Sequence, residues 1–201
     1  RIYKHGQSSF MKVIRGIEIL KEEGIEPAII QTVPKRNLKN VSTDFDFFFD
    51  KLQAKSLAIN ISDVQYTADA TLEAVTPDEG FELYKTLFHK WLERKDKNIR
   101  VREIENFLLG LTGNTPKSCS FNGTCGHYIS IEGNKDVYPC DRLSFSKKYY
   151  LGNLNTETYK EILEGERMQK FRELVTDKPE PCKTCEWQKM CNNGCTALRN
   201  P

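Results

Sequence analysis

The sequence predicts an α/β fold: a parallel sheet or barrel fragment, followed by a small, loop-rich, cysteine-dense domain with a β-hairpin. Three observations predict it. In the first half, two short apolar strands flank a helix with tight connections. All seven cysteines lie at or after residue 119. Between these zones stands the loop signal Gly113-Asn114-Thr115-Pro116, so residues 1–113 and 114–201 read as two domains.

The elements follow in order. Ser9 can cap a helix running to Glu23, with Phe10, Val13, Ile14, Ile17 and Leu20 on one face and Gly24 as its stop. Ala28-Ile29-Ile30-Gln31-Thr32-Val33 reads as a strand buried on both faces. A phenylalanine-rich helix from Asp44 to Leu52 precedes a second strand, Leu57-Ala58-Ile59-Asn60-Ile61. Thr76-Pro77-Asp78-Glu79 opens a helix with a capping box and proline at the first position. Its stripe of Phe81, Tyr84, Leu87, Phe88, Trp91 and Leu92 reads as core packing. Residues 99–103 suit a short strand, and a helix follows to Leu111. The second zone carries a hairpin from Tyr128 to Pro139, turning at Gly133-Asn134, and one helix from Tyr159 to Val175.

Thirty basic and 28 acidic side chains in 201 residues leave a formal net charge of +2. That balance gives no reason to expect a charge-driven nucleic-acid partner. No apolar run has membrane-spanning length, and Arg1-Ile2-Tyr3-Lys4 is no signal peptide. The first residue is not Met, so the chain is expected to be a piece of a longer protein.

Seven thiols cannot all pair, and the tight unit Cys182-x2-Cys185-x5-Cys191-x3-Cys195 suits a metal better than disulfides. From spacing alone, one zinc and an iron–sulfur cluster fit equally well. The full pattern adds Cys119-x5-Cys125-x14-Cys140 upstream, and so resembles the SPASM domain of radical S-adenosylmethionine (radical SAM) enzymes. Gly126, Val137-Tyr138-Pro139-Cys140-Asp141, Leu151-Gly152-Asn153, Cys185-Glu186-Trp187 and Gly194-Cys195 agree with it. Ser9-Phe10 with Val13-Ile14-Arg15-Gly16-Ile17, and Val33-Pro34-Lys35-Arg36-Asn37, resemble the later part of the radical SAM partial barrel.

The resemblance implies the C-terminal part of that barrel in residues 1–113. It implies a SPASM domain, cut short at its C-terminus, in residues 114–201. It implies two auxiliary [4Fe–4S] clusters: one on Cys119, Cys125, Cys140 and Cys195, and one on Cys182, Cys185 and Cys191 with an eighth ligand beyond Pro201. The family's C-x3-C-x2-C motif is absent from these residues. A third cluster and S-adenosylmethionine would therefore belong to the full-length enzyme, and the fragment alone would be inactive. The implied activity is modification of a peptide or protein by hydrogen abstraction, either side-chain crosslinking or oxidation of Cys or Ser to formylglycine. Flavodoxin or ferredoxin is the implied reductant, and the cytoplasm the implied location. The segment Asn60-Ile61-Ser62-Asp63-Val64-Gln65 departs from the sulfatase-maturing pattern, which tilts the reading slightly toward crosslinking.

By resemblance, Asp141 is the catalytic base that takes a substrate proton; its plainer reading is a turn aspartate accepting local hydrogen bonds. One departure is Lys135, where the family often has glycine five residues before the third cysteine. His127 is expected at the surface, His5 and His89 in structural roles, and Trp187 as a cluster shield. Arg102-Glu103-Ile104-Glu105-Asn106 resembles a segment of peptide-crosslinking enzymes, but its plain reading is a solvated helix start. The rival to an enzyme is a non-catalytic, zinc- or cluster-stabilised peptide-binding module.

Overall fold

A computed structural model describes residues 6–62 and 73–199. His5 and the stretch Asp63-Val64-Gln65 lie outside the described residues. The chain divides into two compact units, Arg1–Glu105 and Asn106–Pro201.

In the first unit, α1 spans Phe10–Glu22. The Ser9 side chain makes no capping bond; the Ser8 hydroxyl accepts the Phe10 N–H at 3.2 Å. No α1 residue is buried, contrary to the core face that its periodicity predicts. Ile14 and Ile17 are half-buried beside an open groove shared with Phe47 and Leu52.

Strand β1, Ala28–Val33, pairs in parallel with β2, Ser56–Ile61, with Ala28 opposite Ser56. The sheet order β1-β2-β3 leaves β1 at an edge. Among the described residues its burial alternates rather than running buried on both faces, and Ile30 is 67% exposed. The central β2 is the strand with consecutive buried residues, Leu57, Ala58 and Ile59. Between them, a 3-10 turn at Lys35–Asn40 leads into α2, Val41–Asp46, which widens into a π turn at Phe47–Lys51. The helical stretch thus starts earlier than Asp44. Phe45 and Phe49 are its buried rings, 4.6 Å apart, and the Arg94 guanidinium lies over both.

Helix α3, Pro77–Arg94, has the expected capping box: Thr76 accepts from the Glu79 N–H, and Glu79 accepts from the Thr76 N–H. Its buried line is Gly80, Leu83 and Leu87. Leu83 and Leu87 stand one turn apart on a line that leaves Phe81 and Leu92 exposed, so the aromatic stripe is only partly core. Strand β3 is just Arg100–Val101, because helix α4, Arg102–Leu111, begins at once. Where β3 stops pairing with β2, side chains take over. Glu103 accepts the Ile59 N–H at 3.1 Å, and Arg102 donates to the Ile59 carbonyl at 3.0 Å. Arg102 and Glu103 are thus tied to a strand edge rather than simply solvated.

In the second unit, α5 is Cys119–Asn122. Strands β4, Ser130–Ile131, β5, Asp136–Tyr138, and β6, Gly152–Asn153, form an antiparallel sheet in that order. Lys135 in the β4–β5 turn has φ 68°, the left-handed region that favours glycine. Helices α6, Tyr159–Glu164, and α7, Glu166–Thr176, replace the single helix expected there. Gly165, at ψ 160°, breaks the run, and a Cβ on it would meet the Glu161 carbonyl oxygen at 2.6 Å. One-turn helices α8, Glu180–Lys183, α9, Gln188–Cys191, and α10, Thr196–Arg199, close the unit. Its core gathers Val137, Tyr138, Leu143, Ile162, Met168 and Phe171. Among the described residues, no helix is long and apolar enough to cross a membrane.

Candidate metal centre

All seven cysteines are free thiols within the second unit. Cys125 follows α5, Cys140 follows β5, and Cys195 immediately precedes α10. All three pack against the core of that unit. Cys119 opens α5 and is exposed. The remaining three stand together on the short helices: Cys182 in α8, Cys185 after it, and Cys191 at the end of α9.

The electrostatics divide the thiols the same way. Burial pushes the Cys125 thiol up, and Cys195 and Cys119 add to the rise, while the Thr196 hydroxyl and N–H donate to its sulfur and oppose it. Burial pushes Cys140 up to about 11, with Cys125, Asp141 and Cys195 adding to it and the Arg142 N–H opposing it. Burial likewise raises Cys191, and the neighbours that add to this are Cys182 and Cys185. Cys195 thus keeps company with Cys125 and Cys140, although it is nearest to Cys191 in sequence.

Among the described residues, no three His, Cys, Asp or Glu side chains converge as the ligands of a single ion would. Tetrahedral zinc holds thiolates at about 2.3 Å from the metal, which needs sulfurs about 3.8 Å apart. A four-iron cluster is a larger body, and its ligands stand around it at wider spacing. The donor set fits such a group: seven free thiols, several of them partly desolvated. A further sign is the Nε of Arg199, which is buried with no hydrogen-bond partner. The Arg199 charge acts on Cys191, so an anionic group beside that thiol would complement it.

Supporting residues come from positions next to the cysteines and from one distant helix. The buried Asn106 of α4 accepts the Ser118 N–H at 2.7 Å, just ahead of Cys119. The Asn192 side chain donates to the Phe121 carbonyl at 2.5 Å, tying the turn after α9 to α5. The fully buried Thr196 serves Cys125. Arg142 reaches Cys195, its Nη1 lying 4.0 Å from the Sγ. Sequence reading missed Arg142, Asn192 and Thr196, for which adjacency to Cys140-Asp141, Cys191 and Cys195 was the signal, and took Asn106 only as part of a solvated helix start. Gly194 adopts φ 69° between the two cysteine sets, and its N–H serves the Cys191 sulfur.

Asp141 is exposed at the start of a 3-10 turn, Asp141–Leu143. Its backbone carbonyl accepts from the Ser144 N–H and hydroxyl at 3.2 and 2.9 Å. His127 and His89 are exposed. Trp187 is 49% exposed at the N-cap position of α9, so it is not the enclosed shield expected of it.

An α/β unit followed by a domain with seven free thiols suits the iron–sulfur class of protein, and the comparisons point the same way. Residues 119–186 match the model of SPASM, an iron–sulfur cluster-binding domain. Over 97% of its length the chain is 28% identical to a cysteine-type anaerobic sulfatase-maturating enzyme of Clostridium perfringens, covering 53% of that protein. It is 27% identical, over 98% of its length, to a serine-type anaerobic sulfatase-maturating enzyme of Bacteroides thetaiotaomicron, covering 51% of it. The whole chain superposes on 56% of a solved structure of native anSMEcpe with bound AdoMet and Cp18Cys peptide, at TM-score 0.83 and 28% identity. The likeness thus extends over the fold of the whole chain, while the SPASM match is confined to residues 119–186. The chain spans about half the length of the curated relatives it matches.

Proposed function

We propose that the chain holds two auxiliary [4Fe–4S] clusters and belongs to a radical SAM enzyme that oxidises a Cys or Ser of a sulfatase peptide to formylglycine. The single observation that carries the cluster assignment is the company Cys195 keeps: it packs on the same core as Cys125 and Cys140. Cys119, Cys125, Cys140 and Cys195 would hold the first cluster. Cys182, Cys185 and Cys191 would hold the second, with one further ligand. The sulfatase-maturating relatives favour formylglycine over side-chain crosslinking, reversing the slight tilt of the sequence reading. Domain limits of 1–113 and 114–201 are part of this reading, as are a flavodoxin- or ferredoxin-type reductant and a cytoplasmic setting that keeps thiols reduced.

When bound, the clusters would supply a sink for an electron, while S-adenosylmethionine in the full-length enzyme would supply the hydrogen-abstracting radical. This chain's own contribution is proton transfer and orientation. Asp141 is exposed and open to a substrate, and it adjoins the ligand Cys140. Its carboxylate takes the hydroxyl or thiol proton; a serine that has also lost a Cβ hydrogen atom and an electron is then an aldehyde.

The test is anaerobic turnover of the full-length protein with S-adenosylmethionine and a Cys- or Ser-containing sulfatase peptide, read by mass spectrometry. Formylglycine is expected. Asp141→Asn should slow its formation about a hundredfold or more at unchanged iron content. A crosslinked product, or Asp141→Asn at the wild-type rate, would contradict the reading.

A further inference from the structure

We propose that Arg142 sets the reduction potential of the cluster held by Cys119, Cys125, Cys140 and Cys195, keeping it high enough to accept an electron. The proposal rests on the cluster assignment above and deepens it. Arg142 touches two of the four ligands, which lie far apart in sequence. Its guanidinium Nη1 is 4.0 Å from the Cys195 Sγ, and its backbone N–H serves the Cys140 sulfur.

The local fold fixes that direction. Arg142 is the middle residue of the 3-10 turn Asp141–Leu143. Leu143 is anchored in the core at 1% exposure, and its N–H bonds to the Cys140 carbonyl at 3.1 Å. Asp141 on the other side is exposed, which leaves Arg142 half-buried between core and solvent. Cys140 and Cys195 both pack on the core, so the guanidinium acts across partly desolvated space, where charge is weakly screened.

The sign follows from charge. Reduction adds one electron to the cluster and thiolate unit and makes it more negative. A fixed cation and hydrogen bonds to the ligand sulfurs favour that state and raise the potential. No proton moves in this step. Arg142 is thus a positioning and tuning residue, whereas Asp141 beside it faces the substrate.

The experiment is a dye-mediated redox titration of the anaerobically loaded full-length protein, followed by electron paramagnetic resonance. Iron and acid-labile sulfide are measured in every sample. In Arg142→Gln, the reduced-to-oxidised ratio at a fixed poise should fall about tenfold, a shift of about 59 mV for one electron. Arg142→Lys keeps the charge and should shift less. The couple that moves should be the one missing from Cys140→Ala. An unmoved midpoint at full iron content in Arg142→Gln overturns the proposal. Loss of iron in both variants also overturns it, since Arg142 would then be needed to build the cluster rather than to tune it. Absence of iron from the wild-type protein would instead sink the cluster assignment, so the two failures are distinguishable.

Discussion

The side-chain oxygen of Asn106, a residue only 2% exposed, accepts the backbone N–H of Ser118 at 2.7 Å. That bond joins α4 to the residue preceding the first cysteine. Asn106→Ala would strand a part-buried donor and should destabilise the chain by about 1–3 kcal/mol. Because the bond sets where Cys119 starts, the variant should also retain less iron. Urea unfolding and iron analysis check both; unchanged values in each would show that the bond positions nothing.

Lys135 holds φ 68°, where the Cβ of an L residue is crowded. The turn around it is well tied: the Lys135 N–H bonds to the Glu132 carbonyl at 2.8 Å, and the Leu154 N–H bonds to the Lys135 carbonyl at 3.1 Å. Lys135→Gly removes the crowding at some cost in unfolded-state entropy, and should stabilise by about 0.5–1 kcal/mol. A denaturation midpoint that falls would contradict this.

The thiols give the metal-free chain a pH dependence. Burial, together with Cys125, Asp141 and Cys195, pushes Cys140 up to about 11 against the Arg142 N–H; Cys125 and Cys191 are also raised. A raised thiol favours the protonated folded state, and the unfolded chain loses those protons first. Stability is therefore complete below the ordinary thiol range and declines as pH rises from about 9 toward about 11. Cluster loading, which needs thiolates, should improve over the same rise in pH. Denaturation midpoints of the metal-free chain across this window check the sign; a midpoint that rises would refute it.

Much of this was legible in the residues. The bounds of β1 and the capping box at Thr76 rest on short-range signals: an apolar run and Thr-Pro-Asp-Glu. What escaped depends on packing at a distance. Nothing local in Ala28–Val33 reveals that its burial alternates, because what packs on each face is set by other elements. The break at Gly165 needed the close approach of the Glu161 carbonyl. Arg102 and Glu103 read as solvated charges until β2 was seen to offer the Ile59 backbone to both. In the site, residues beside a cysteine were within reach of inspection, but Asn106 stands in another element and could be found only through its bond to Ser118.

The central claim is that Cys195 belongs with Cys125 rather than with Cys185. Iron and sulfide counts on anaerobically loaded cysteine variants test it most directly. The full-length protein, which also carries the eighth ligand and the third cluster, should bind about twelve irons and as many sulfides, and Cys195→Ala about eight. Adding Cys125→Ala to Cys195→Ala should remove nothing more, because both act on one cluster, whereas adding Cys185→Ala should remove about four more. If Cys185→Ala with Cys195→Ala keeps as much iron as either alone, or if the wild-type protein carries one zinc and no sulfide, the assignment is wrong.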